Sequence, residues 1–208
     1  MDWYMQKNSV NFKLKHRGFS LIEIMISGFI LALGLLGLAG MQSTAVKSSI
    51  EIEQRTLANS LIADITERMQ LNRLWLLDAD NNYAIVSLTN ATLSAPSCID
   101  SDGTFDNCSG VDIRNNDLYE WKQKFLGAEI NNSTAGENGL IEADACIAVS
   151  PISGSDGELV EIVISWFSTV KSKDSAHASA STDLTATCGD SSRHRRQLSI
   201  ETYISKSS

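Results

Sequence analysis

One charge stands inside an otherwise apolar run, and that is where chemistry is first suspected. Arg17-Gly18-Phe19-Ser20-Leu21-Ile22-Glu23 opens a stretch in which Glu23 is the sole ionisable residue up to Met41. A carboxylate within a membrane helix costs about 2.5–3.5 kcal/mol at the centre and less near an end, so it normally has a partner or snorkels to the interface. Four cysteines, Cys98, Cys108, Cys146 and Cys188, include no CxxC pair, and the histidines (His16, His177, His194) are scattered. That pattern argues against zinc or a redox dithiol and leaves no metal or cofactor site to expect. Asp100, Asp102 and Asp106 with Gly103 loosely suggest a calcium loop, but the twelfth position is Val111 where a bidentate Glu is needed, so a solvated acidic loop is expected. Arg193-His194-Arg195-Arg196 is either a basic cap on an exposed turn or a patch for DNA or an acidic partner. No nucleophile elbow, P-loop or dinucleotide fingerprint is present, so no enzyme is expected.

The element that must position Glu23 is the apolar run Phe19–Met41. As a helix it extends roughly 35 Å at ~1.5 Å per residue, enough to cross a ~30 Å hydrocarbon core. Lys13, Lys15, His16 and Arg17 precede it, and no Lys or Arg follows until Lys47. The positive-inside rule then puts the amino end in the cytoplasm and everything beyond Met41 outside it. An ordinary secretory signal is cut after its apolar region. Here the distinctive residues lie before that region, and a cut between Gly18 and Phe19 would leave the helix on the mature chain.

With those residues in this order the sequence resembles the type IV pilin family. The resemblance implies a prepilin peptidase cutting after Gly18, N-methylation of Phe19, and a registering role for Glu23, the fifth mature residue, against a terminal amine in the assembled filament. Ala32-Leu33-Gly34-Leu35-Leu36-Gly37-Leu38-Ala39-Gly40-Met41-Gln42 is similar to the segment of PilV-type minor pilins. Gly34, Gly37 and Gly40 could allow close helix packing. Gly40 stands where major pilins often carry proline, which is a departure from their pattern. The resemblance implies an inner-membrane subunit that later joins an extracellular pilus, with other minor and major pilins, the inner-membrane assembly machinery and, before assembly, lipid as partners. Initiation of assembly or a tip complex, and hence adhesion and twitching motility, is the implied role. The alternatives are a minor pseudopilin of a type II secretion system and a tip module that binds a ligand or DNA.

The remainder reads as a body built to carry that segment. The chain has 208 residues, of which 43% are hydrophobic and 20% charged, a composition of folded protein. Its formal charge of −8 disfavours nonspecific contact with nucleic-acid phosphates. The first of only two prolines is Pro96, so nothing interrupts a long helix. Val46, Ile50, Leu57, Leu61, Ile65 and Met69, with Ala58 and Ile62, predict an amphipathic continuation to about Leu77, ended by Asp78–Asn82. The expected fold is α+β, with a long helix packed on a small antiparallel sheet. Its expected parts are a leader (1–18), a transmembrane half (19–41), an amphipathic half (42–77) and an outer domain (78–208). Within the last, Tyr83–Leu88 is expected as a short strand and Asp117–Leu126 as a helix. Leu140–Val149, Leu159–Val170 and Gln197–Ile204 are expected as strands, and Ser172–Thr187 as an exposed loop.

Cysteines beyond a membrane segment meet an oxidising compartment and favour disulfides. Four allow three pairings. Cys98–Cys108, close in sequence, and Cys146–Cys188, which would tie a strand to the approach of the last one, are favoured. Free core cysteines are the alternative.

Overall fold

The computed structural model describes residues 18–76, 82–95, 98, 107–127, 139–171, 183–190 and 192–205. The chain divides into two compact units, one up to Val46 and one from Lys47 onward. Helix α1, Leu21–Leu71, contributes to both. Its length follows from 51 residues without proline.

In the first unit every described residue is exposed. In the second, α1 buries Ala58, Leu61, Ile62, Ile65 and Met69, the i, i+3, i+4 stripe of a helix lying on a core. Val46 and Ile50, expected on that stripe, are 59% and 39% exposed, so the buried face starts later, near Leu57. The helix also stops earlier than expected. Asn72 breaks it and the four-residue α2, Arg73–Leu76, follows. Asn72 directs its amide at the Tyr83 hydroxyl (3.0 Å) and the Gly110 carbonyl (3.0 Å), a tertiary anchor invisible in local sequence.

Helix α3 runs Gly110–Phe125, starting seven residues before the expected Asp117. Ser109 and Asp112 explain the earlier start. The Ser109 hydroxyl accepts from the Asp112 amide (3.2 Å) while the Asp112 carboxylate accepts from the Ser109 amide (2.9 Å), a reciprocal capping box. Leu118, Trp121 and Phe125 form its buried face, and the Trp121 indole N–H donates to the Leu61 carbonyl of α1 (2.9 Å).

The sheet is an antiparallel meander of β1 (Asp144–Pro151), β2 (Gly157–Phe167) and β3 (Arg195–Ser205), in spatial order β1-β2-β3. Register pairs Cys146 with Val163 and Val163 with Ser199. Val160, Ile162, Ile164 and Trp166 face the main core with α1 and α3, while Val163 faces a smaller cluster with Cys146 and Cys188. This two-sided burial leaves residues 162–166 of β2 buried without a break.

Tyr83–Leu88 does not form the expected strand. It touches the outer edge of β1 through one bridge, Ile85 to Ile147, and one further bond from the Leu88 amide to the Ala145 carbonyl (2.9 Å). A turn follows at once, with the Asn90 amide bonded to the Ser87 hydroxyl (3.2 Å), which leaves no length for a ladder. Thr185, Ala186 and neighbours, expected in a loop, form the four-residue α4 (Leu184–Thr187) behind the Asp183 cap. Residues 1–17 of the leader, the acidic loop Asp100–Asp106 and residues 172–182 lie outside the described residues.

Candidate assembly and processing segment

Gly18 and Phe19 are exposed and precede the first helical turn. The Ser20 carbonyl begins the helix by accepting from the amides of Glu23 (3.0 Å) and Ile24 (3.3 Å). Glu23 therefore sits in the first turn of α1, where unpaired amides and the helix dipole favour a negative charge. The Ser27 hydroxyl donates to the Glu23 carbonyl. Among the described residues no cation pairs with the Glu23 carboxylate. The peptide bond expected to be cut thus lies just outside the helix, and the one acid of the segment lies just inside it.

Around this end the helix is apolar on all sides. Phe19 is 80% exposed and Met41 74%, with the large side chains between them open as well. By length and composition α1 can cross a membrane. A Cβ built on Gly28, Gly34, Gly37 or Gly40 meets nothing within 4 Å. No contact among the described residues therefore requires glycine at these positions.

The other residues picked from sequence lie in the second unit. Cys98 pairs with Cys108 (Cα–Cα 5.3 Å) and Cys146 with Cys188 (Cα–Cα 5.8 Å), and no described cysteine is free. The latter pair packs on the back face of the sheet beside Val163 and Leu184. The basic run is largely consumed by the fold. Arg195 is 4% exposed and donates to the carbonyls of Cys188 (3.0 Å) and Gly189 (2.9 Å). Arg196 pairs with Glu51 of α1 (2.8 Å), and His194 stacks on Phe167 at 4.8 Å between ring centres. A basic cap on an exposed turn is thus the wrong description for Arg195 and Arg196; Arg193 alone of the four is exposed.

Sequence reasoning missed the polar network that fastens α3 to the end of α1. Arg68 contacts Asp117 (3.0 Å), Glu120 (2.8 Å) and Asp64 (3.4 Å), while the Tyr83 hydroxyl donates to Asp117 (2.5 Å). Burial opposes the Arg68 charge, but Glu120, Asp64 and Asp117 outweigh it and hold the guanidinium above its ordinary value. Burial raises the Asp117 carboxyl despite its bonds to Tyr83 and Arg68. It also raises the Tyr83 phenol, with the Asp117 carboxylate adding to the effect. Sequence spacing places Asp117 and Glu120 on this helix, and the capping box at Ser109 was the local signal that could have placed its true start.

Among the described residues no group of histidines, cysteines and acids is arranged to hold a metal ion. Residues 13–39 match the family model of the prokaryotic N-terminal methylation motif. No curated protein and no solved structure matches the chain. The matched segment contains Gly18, Phe19 and Glu23 and opens an apolar α1 joined to a three-stranded antiparallel sheet, an α+β, pilin-like arrangement, and the motif supports a type IV pilin- or pseudopilin-like protein.

Proposed function

We propose that the chain is a minor pilin of a type IV pilus, a PilV-type structural subunit that supports initiation of assembly or the tip complex, and through it adhesion and twitching motility. Prepilin peptidase removes residues 1–18 by cutting between Gly18 and Phe19, and Phe19 is N-methylated. Residues 19–41 hold the subunit in the inner membrane with the amino end in the cytoplasm. Residues 42–77 carry the outer domain, 78–208, in the periplasm and later on the pilus. The observation that carries this reading is the methylation motif on an apolar helical segment whose large side chains, from Phe19 to Met41, are exposed. Lipid covers such a surface before assembly, and the helices of other pilins cover it afterwards. Glu23 then meets a terminal amine in the filament.

The same segment serves a minor pseudopilin of a type II secretion system, and neighbouring genes separate the two. A DNA-binding tip module has lost its main support, because Arg195 and Arg196 are engaged within the fold. The direct test is intact-mass and amino-terminal analysis of protein from its host. Phe19 should be first and N-methylated; an intact leader, or a terminus after Met41, rejects the assignment. Glu23→Ala should remain membrane-inserted yet be depleted from sheared pili relative to wild type.

A further inference from the structure

The second unit carries an open groove of about 440 Å³ where the end of α1 meets the start of α3. Asp64, Glu67, Arg68, Leu71, Asn72, Ile113 and Asp117 line it. Two features give it a chemical preference. Its carboxylates, Asp64, Glu67 and Asp117 with the neighbouring Glu120, outnumber the two cations paired to them, Arg68, which is shared among Asp64, Asp117 and Glu120, and Lys124, which lies 3.2 Å from Asp64. Asp117 is 8% exposed, so its carboxylate is largely withdrawn from water. Glu67 is exposed at the rim. Apolar Leu71 and Ile113 also line it, and Leu71 is 83% exposed. A long aliphatic stem ending in a cation suits both, because lysine and arginine bury their methylenes on apolar surface and keep the charge at a polar site. A small anion or an acidic peptide suits neither.

We propose that this groove docks a lysine- or arginine-bearing segment of a neighbouring pilin subunit. The inference rests on the minor-pilin reading, which supplies a neighbour at high local concentration. Charge complementarity at such a surface sets partner choice and register more than raw affinity. It gives the outer domain a specific contact distinct from that of the apolar helices.

The test is made on the full-length protein in its host. Glu67→Lys reverses the rim charge at an exposed position, and Glu67→Gln removes it. Sheared pili should contain about tenfold less Glu67→Lys protein, a loss of ~1.4 kcal/mol, with Glu67→Gln intermediate. Melting of both purified variants should match wild type, which separates docking from folding. A benzoylphenylalanine photo-crosslinker replacing Leu71 should join the groove to a basic peptide of another pilin. Equal incorporation of wild type and Glu67→Lys overturns the proposal, as does a crosslink formed only to lipid or within the same chain. Absence of the wild-type protein from sheared pili would instead reject the minor-pilin reading itself.

Discussion

Glycines in the two units of this chain live under opposite constraints. Gly28, Gly34, Gly37 and Gly40 have open space where a side chain would go. At Gly157 an added Cβ lies 2.5 Å from the Ile204 carbonyl, and at Gly139 it lies 2.6 Å from the Phe125 carbonyl. The large side chains differ in the same way. Those from Phe19 to Met41 are exposed, whereas Tyr83, Leu118, Trp121 and Phe125 are buried. The second unit buries most of its large side chains internally. The first unit does not, so its sequence answers to surroundings outside the chain, lipid or other helices. A fully apolar, unburied helix is what a membrane or a helical bundle covers.

Substitutions can break that contrast or sharpen it. The largest effect is expected for Trp121→Ala, which empties a core site and removes the bond to the Leu61 carbonyl. The cost should be about 3–5 kcal/mol, read from the urea midpoint of the detergent-solubilised protein. Close to it comes Cys146→Ala with Cys188→Ala, because that bridge closes 42 residues of chain, for which loop entropy predicts about 4 kcal/mol. The corresponding change at Cys98 and Cys108, separated by 10 residues, should cost about 3 kcal/mol. Membrane association should survive both, since none of the four lies on α1. Comparable loss of membrane association would show that the two units are not independent in this respect.

A smaller effect sharpens the glycine comparison. Gly157→Ala forces strand backbone apart and should destabilise by about 1–3 kcal/mol. Gly37→Ala should not lower the urea midpoint, because the new methyl group touches nothing among the described residues and alanine suits a helix better than glycine. A lowered midpoint in Gly37→Ala would mean that the first unit has internal contacts after all.

The smallest effect concerns the back face of the sheet. Glu161 and Glu201 are direct register partners on β2 and β3, and like charges so placed weaken a sheet by on the order of a few tenths of a kcal/mol. Burial raises the Glu161 carboxyl, and Asp183 and Glu201 raise it further. A raised folded-state value means the folded protein holds this proton more tightly than the unfolded chain. Stability from that group is therefore complete below the ordinary carboxylate range and is lost as pH rises through the raised value. Glu161→Gln should raise the melting temperature slightly at neutral pH and have no such benefit in acid. A benefit that persists equally at both pH values would contradict the electrostatic account.

How much of this was legible in the residues depends on the range of the forces involved. The apolar run, its basic flank and Glu23 are local patterns, so the membrane-length helix and its candidate processing site could be read directly. The β2 and β3 runs likewise carry their own alternation, and a meander is the simplest way to join strands by short links. The end of α1 was misplaced because Asn72 is held by Tyr83 and Gly110, which lie 11 and 38 residues away. The start of α3 was misplaced although its signal, Ser109 with Asp112, is local.

The basic run shows where sequence stops deciding. Its four residues look alike on paper, yet folding buries Arg195 against the Cys188 and Gly189 carbonyls and sends Arg196 to Glu51, 145 positions away. The groove of Asp64, Glu67 and Asp117 is likewise assembled from α1 and α3. Composition and periodicity determined which segment leaves the aqueous phase and which becomes a sheet, because hydrophobic transfer acts residue by residue. Tertiary structure alone decided which charges are spent inside the fold and which remain at the surface, because ion pairing depends on distances that no spacing along the chain encodes.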